Sequence, residues 1–399
     1  MIKQHSFCFT RHLYARDEVE ASLLTALLKR DDLCEAYFWA YELHYSGFDI
    51  FTVIWRIYYD IYFELNPGLE RYITKKQSVW VKKNDANVIA YCVKNMFLSE
   101  PSSKVFVLRQ LALCCEANVN VNANANAKPS TICCYRGRKP KWCEKHPKKY
   151  QQLLRAISKG DYIAIAHHTY ILVHNDNANT DEMFAELAVY FSDTFDIDPE
   201  VFSYWNARKY VDDAHYLLSI TVYLLEYRSN NYGENISESN TTFRPRDIHL
   251  EMFEEFGKDI FTEFPSYCIL ERRRLYAIRP TIGGFNLARN NDTAVCNYDH
   301  IYQANTGWEQ FVFETPYWVR RFDSVGASYD ETNKRVSFPS DDAREEFYEK
   351  YCYEPDEQSR AVRDRSLGEI PIGTWKTWYE SVFTEPSIVN FGEEHRFHN

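Results

Sequence analysis

The sequence predicts a mainly α-helical protein: a helical array or bundle in two segments, followed by a smaller α+β C-terminal domain. Three observations predict it. Apolar residues recur at helical spacing through most of the first 230 positions. Glycine is scarce, 13 in 399 residues, which argues against an all-β fold built on many tight turns. Beyond about residue 246, short aromatic runs replace the helical pattern, punctuated by Gly283, Gly284, Gly307 and Gly326.

The elements follow in order. Val19, Leu23, Leu24, Leu27 and Leu28 form one stripe and predict a helix over 17–30. A second, over 31–46, carries Leu33, Ala36, Tyr37, Ala40 and Leu43, with Asp31 or Asp32 as N-cap and Gly47 as a stop. The third runs from about Asp49 to Leu65 and is apolar on most sides, as a central helix is; Asn66-Pro67-Gly68 ends it. Helices at 85–98 and 102–116 are separated by a Ser-Glu-Pro-Ser break, with Ser102 as a cap. The alternating Asn/Ala/Val tract from Asn118 to Ala127 reads as a linker, because Asn and Ala are poor strand formers. Helical patterns resume at about 147–158, 161–174, 181–194 and 211–228. Farther on, a helix at 247–258, a hairpin over Val325–Phe338 around a polar turn, and a helix from Asp341 to about Tyr351 are expected.

The resulting partition is an N-terminal helical domain at 1–117, a low-complexity linker and basic Cys-rich segment at 118–146, a second helical segment at 147–228, a linker at 229–245, and an α+β C-terminal domain at 246–399.

Aromatic residues make up 16% of the chain, with 30 Tyr, 26 Phe and 9 Trp. Such side chains bury large areas and, in Tyr and Trp, keep a polar tip. Net charge is −11, which argues against general binding of nucleic acid. The charge is uneven, however. Residues 128–160 carry ten Lys or Arg and one Glu, leaving −20 for the rest. No secretory signal opens the chain, and the most apolar stretch, Phe48–Leu65, is broken by Asp49, Arg56, Asp60 and Glu64, so no membrane span is expected. Eleven cysteines without a signal read as free thiols in a reducing, intracellular compartment.

No GxSxG, GxxxxGK[ST], GxGxxG after a strand, HExxH or CxxC is present, which removes the easily recognised enzymes. No catalytic residue, cofactor or metal is assigned. The weak candidates for zinc are Cys133, Cys134, Cys143 and His146, thiolate and imidazole ligands at a spacing that matches no common zinc module; reduced thiols in a loop are the more ordinary reading. The same segment interleaves aromatics with bases. Arg136, Arg138, Lys139, Lys141, Trp142, Lys145, Lys148 and Lys149 could track a phosphate backbone while rings stack on bases. The competing reading is a basic loop docked onto the protein's own acidic surface. His167, His168 and His174 read as core or solvated histidines. Asp212 and Asp213 suit the first turn of a helix, and Arg272–Arg274 read as a solvated charge run. Trp375, Trp378 and Tyr379 have core-like spacing.

Four strings carry a resemblance: Arg11-His12-Leu13-Tyr14; Phe38-Trp39-Ala40-Tyr41-Glu42-Leu43 with Tyr45-Ser46-Gly47-Phe48; Ile57-Tyr58-Tyr59-Asp60; and Tyr353-Glu354-Pro355-Asp356-Glu357-Gln358. Together they resemble an uncharacterised protein family of large nucleocytoplasmic (giant) DNA viruses that infect algae and amoebae. The resemblance implies an origin and a setting (host cytoplasm, viral factory or virion) and no activity. The expected function is a non-enzymatic helical scaffold that binds another protein. The alternative is a nucleic-acid-associated factor using 128–160.

Overall fold

The structure, a computed structural model, describes residues 8–112, 140–174, 179–195, 210–230, 243–246, 256–257, 264–284, 306–330, 332–333, 335–351, 353–367 and 375–388. The fold is mainly helical, as the periodicity predicts; among the described residues the only sheet is one antiparallel pair of strands. None of the described helices is long and apolar enough to cross a membrane.

Helix α1 spans Arg16–Lys29 and ends at Arg30, which adopts the left-handed conformation with φ 55°. Helix α2, Leu33–Tyr45, starts where Asp32 accepts a hydrogen bond from the Cys34 amide at 2.8 Å, the expected cap. Helix α3, Ile50–Ile57, then loosens into a π turn over Tyr58–Tyr62, where the Phe63 amide donates to the Tyr58 carbonyl at 2.9 Å. A regular helix to Leu65 was expected; the extra residue in this turn re-aims the side chains that follow it. Helix α4, Leu69–Lys83, was not anticipated. Its apolar residues cluster at its start and in the consecutive run Val79-Trp80-Val81, so they show no clean period. Helices α5 (Asn87–Phe97), α6 (104–112), α7 (Gln151–Lys159), α8 (Tyr162–His174), α9 (Thr180–Phe195) and α10 (Asp213–Asn230) follow the predicted pattern, with 3-10 turns at Lys141–Lys145 and Lys148–Tyr150 before α7.

The C-terminal portion is more helical than its texture suggests. Helices α11 (Ser266–Arg273), α12 (Glu309–Val312) and α13 (Pro316–Ser324) form where only short aromatic runs were read. Pro316 sits in the first turn of α13, where its missing N–H costs nothing. The expected hairpin is present, β1 (Ser328–Asp330) with β2 (Arg335–Ser337), in the register Tyr329 opposite Val336. Asp330 accepts from the Thr332 and Asn333 amides at 2.9 and 3.0 Å and so closes its turn. Helices α14 (Asp341–Tyr351), α15 (Arg360–Leu367) and α16 (Trp375–Val382) are the last described elements. The predicted helix at 247–258 and the linkers at 118–127 and 229–245 lie outside the described residues, apart from the helical Phe256 and Gly257, residues 229–230, which continue α10, and residues 243–245.

The chain divides into two compact units that interleave along the sequence. The first comprises Met1–Val53, Lys76–Leu98 and Arg246–Thr384, the second Ile54–Lys75, Ser99–Pro245 and Glu385–Asn399. This grouping differs from a linear succession of domains. In the first unit α1 packs on α2, both pack on α5, and α16 with the turn Pro280–Gly284 covers α1. Trp378 is fully buried there, its indole N–H donating to Thr25 Oγ1 at 3.2 Å. A second apolar cluster of the same unit gathers Phe9, Leu13, Trp308, Trp318, Phe322, Phe347 and Tyr353. In the second unit α8 packs on α7 and α10, and α10 also packs on α9 and the π turn.

Candidate functional site

Each unit contains buried ionisable groups, and these are the places where chemistry could be concentrated. In the first unit, residues 8–15 form a loop inside the protein. Buried loops carry main-chain groups that water cannot reach, so partners must come from elsewhere in the chain. Glu42, on α2, is fully buried and serves that need. Its Oε1 accepts the His12 amide at 3.1 Å; its Oε2 accepts His12 Nδ1 at 2.8 Å and Arg11 Nε at 3.1 Å. Ser46 Oγ, one turn later, accepts the Arg11 amide at 2.8 Å. From the other end of the sequence Arg274 reaches in. Its guanidinium donates to the carbonyls of His12, Leu13 and Val362 at 3.0, 3.4 and 3.3 Å. Ser366 Oγ donates to the Leu13 carbonyl at 2.5 Å, and Leu13 itself is held at φ 59°.

The electrostatics follow from this burial. Burial pushes the Glu42 carboxyl up, but the charges of His12 and Arg11 and the hydrogen bonds from His12 and Thr10 outweigh it, and the group stays below the usual carboxylate range. Burial pushes His12 down to about 4 against the pull of Glu42. The state this supports at neutral pH is an ionised Glu42, a neutral His12 donating through Nδ1, and Arg11 as the counter-charge. Arg274 is pushed down to about 10 by burial, and its planar fork is spent on carbonyls.

In the second unit the π turn presents Asp60, 4% exposed, to two partners. Arg109, on α6, binds it in bidentate fashion at 2.8 and 2.6 Å, and His215 Nε2, on α10, lies 2.9 Å from Oδ1. Burial would raise the Asp60 carboxyl, but Arg109 and His215 hold it well below the usual range. One turn on, Glu64 accepts from Lys104 Nζ at 3.0 Å and Ser102 Oγ at 2.5 Å; Lys104 also reaches Glu226 at 2.7 Å, and Tyr162 donates to Glu226. Asp60 and Glu64 on one side, Arg109 and Lys104 on the second, and His215 and Glu226 on the third make a polar seam through the helix packing.

The predicted site residues are placed as follows. Cys133, Cys134, Arg136, Arg138 and Lys139 lie outside the described residues. Cys143 is buried and in no disulfide, and the His146 imidazole is buried with Nδ1 2.9 Å from Glu186. Among the described residues no group of three or more His, Cys, Asp or Glu side chains is arranged to hold a metal. Lys141, Lys145, Lys148 and Lys149 are exposed and Trp142 is half-buried against Tyr190, centroids 5.0 Å apart. Lys149 pairs with Glu182 at 2.7 Å and Lys145 with Asp193 at 3.6 Å. Glu182, Glu186 and Asp193 are four and seven residues apart, so they share one face of α9. Lys145, His146 and Lys149 of the basic segment thus face acids of α9 within their own unit.

No family model, curated protein or solved structure matches this chain.

No local pattern in the sequence marks the residues of the two clusters as belonging together. Arg274 was read as part of a solvated charge run; it is 1% exposed, because the carbonyls of the 8–15 loop need donors. Asp212 was read as a first-turn acid, and it does accept the His215 amide at 2.9 Å, but His215 itself is 1% exposed against Asp60. A signal existed for Asp60 and Glu64. A charged residue inside a helix that is apolar on most sides must be paired when buried. The strings at 11–14, 38–48 and 353–358 meet in the first unit: Tyr14 packs on Trp39 at 5.1 Å, the Arg11 guanidinium lies 4.9 Å over Tyr45, and His12 stacks on Tyr353 at 6.4 Å.

Proposed function

We propose that this chain is a non-enzymatic helical scaffold whose partner is another protein. The observation that carries the reading is the use to which its buried polar groups are put. Both oxygens of Glu42 are engaged by Arg11 and His12, and Arg274 is committed to three main-chain carbonyls. Groups so engaged hold architecture; a general acid or base needs a lone pair or proton aimed at a substrate. Around this frame the surface of the first unit displays large apolar side chains, Tyr267 at 56% exposure and Leu275 at 55%, the residue types that anchor protein contacts. The proposal includes the setting implied by the resemblance: a viral structural or replication-associated component in a reducing compartment.

The test is quantitative affinity purification of the tagged full chain from cells that express it, beside a Tyr267→Ser/Leu275→Ser variant. A protein recovered in stoichiometric amount with the wild type and depleted with the variant supports the reading. Recovery of no stoichiometric protein partner overturns it.

A further inference from the structure

The chain carries a second basic stretch that its overall charge conceals. Between Arg71 and Asn84 there are five Lys or Arg and no Asp or Glu. The structure makes this stretch most of α4. Arg71, Lys75, Ser78 and Lys82 fall at spacings of four, three and four, which places them on one face, and all four are exposed, as is Lys83. The opposite face, Leu69, Tyr72 and Ile73, is buried. Lys76 is taken up by the Tyr91 ring, 4.1 Å from its centroid. Among the described residues no acidic side chain pairs with Lys75, Lys82 or Lys83. This is the reverse of Lys145 and Lys149, which face acids of α9.

We propose that the exposed face of α4, with the end of the helix, is a docking surface for the phosphate backbone of a nucleic acid: Lys75 and Lys82 contact it from the row, and Lys83 from beside the row at the helix end. Four features favour that occupant. A helical rise of about 1.5 Å per residue spreads Arg71 to Lys83 over roughly 18 Å. A duplex offers one phosphate charge per about 1.7 Å of axis, so the row meets several phosphates at once. A membrane surface would require an apolar face to insert. On α4 that face is buried, and Val81 alone of its large apolar side chains is mostly exposed, at 70%. An acidic protein segment would want an aromatic anchor, and Trp80 is already packed on Phe51, centroids 5.1 Å apart. Phe243 packs on Tyr72 at 5.5 Å, which brings the exposed Arg244 beside the start of the helix. The interaction is independent of the scaffold reading and reads phosphates, not sequence.

The experiment is fluorescence anisotropy of a labelled 30-base-pair DNA duplex with the full chain, from 50 to 200 mM salt. Wild type is expected to bind, with affinity falling linearly in log–log form. Lys75→Gln/Lys82→Gln/Lys83→Gln is expected to lose at least tenfold in affinity at 50 mM salt. Its salt slope should fall by about 3, roughly 0.9 per lost contact, at an unchanged urea midpoint. The corresponding Lys→Arg triple should bind like wild type, and Lys145→Gln/Lys148→Gln/Lys149→Gln should stay within about twofold. The proposal is overturned by any of four results: no binding by wild type at 50 mM salt, a Gln triple that binds as wild type does, loss confined to the 145/148/149 variant, or binding to phosphatidylserine vesicles in place of the duplex.

Discussion

Glu42 receives His12 twice, through the imidazole Nδ1 at 2.8 Å and through the main-chain amide at 3.1 Å. One carboxylate therefore fixes both the backbone and the ring of a residue 30 positions away. Glu42→Gln is expected to destabilise the first unit by about 3–5 kcal/mol, since it leaves the Arg11 charge buried without its counter-ion. Urea unfolding followed by Trp fluorescence checks it, and a loss below about 1 kcal/mol would contradict the arrangement.

His12 makes stability depend on pH. Its folded value, pushed down to about 4, lies below the ordinary 6.5 or so of an unfolded histidine. Between those values the unfolded chain binds a proton that the folded chain refuses, so stability falls as pH drops from about 6.5 to 4, by ~3 kcal/mol at the lower end. His44, also pushed down to about 4 by burial and Arg11, adds to the same window. Glu42, held below the usual carboxylate range, has the same sign at lower pH: its contribution is present above the unfolded value near 4 and lost as the folded group protonates. The urea midpoint should drop between pH 7 and 5, and His12→Gln should flatten that drop in part. A pH-independent midpoint over that interval would falsify the neutral-His12 assignment.

In the second unit, Asp60→Asn should cost about 3–5 kcal/mol, because it strands a buried Arg109. Asp60→Leu combined with Arg109→Met should cost less than the sum of the two single changes, since an apolar pair can replace a buried ion pair of similar volume. A double-mutant cycle in urea measures the difference. Lys149→Ala, which breaks a largely exposed pair with Glu182, is expected to change stability by under about 0.5 kcal/mol.

Gly47 has φ 88°, and a Cβ placed there would stand 2.6 Å from Pro316 Cβ. Gly47→Ala meets both a left-handed backbone and a rigid ring, and should cost more than about 1 kcal/mol. A thermal midpoint equal to that of wild type would show that Pro316 can move aside.

The helical class and most of the helices were legible because apolar periodicity acts within a dozen residues. Asp32 capping α2 is read from the sequence for the same reason. α4 was not legible: its first turn and its Val79-Trp80-Val81 run satisfy partners distant in sequence. The clusters were illegible for a related reason. Nothing near residue 274 indicates that its guanidinium answers carbonyls at 12 and 13, a demand created only when the loop is buried. The acids that face Lys145 and Lys149 likewise sit on α9, a separate helix, and no pattern near 141–149 points to them.

The loop at 8–15 has a further consequence, in the order of events during synthesis. Its carbonyls and amides are secured by Arg274, the Phe311 main chain, Thr315 and Ser366. At about 5–20 residues per second, a ribosome reaches Ser366 some 20–70 s after Phe9. This segment leaves the tunnel long before the groups that fasten it are made, and until then its Phe9 and Leu13 stay available to wrong partners. Nascent chains arrested near residue 300 should thus be cut by protease in the region of residues 8–15 that the finished protein shields.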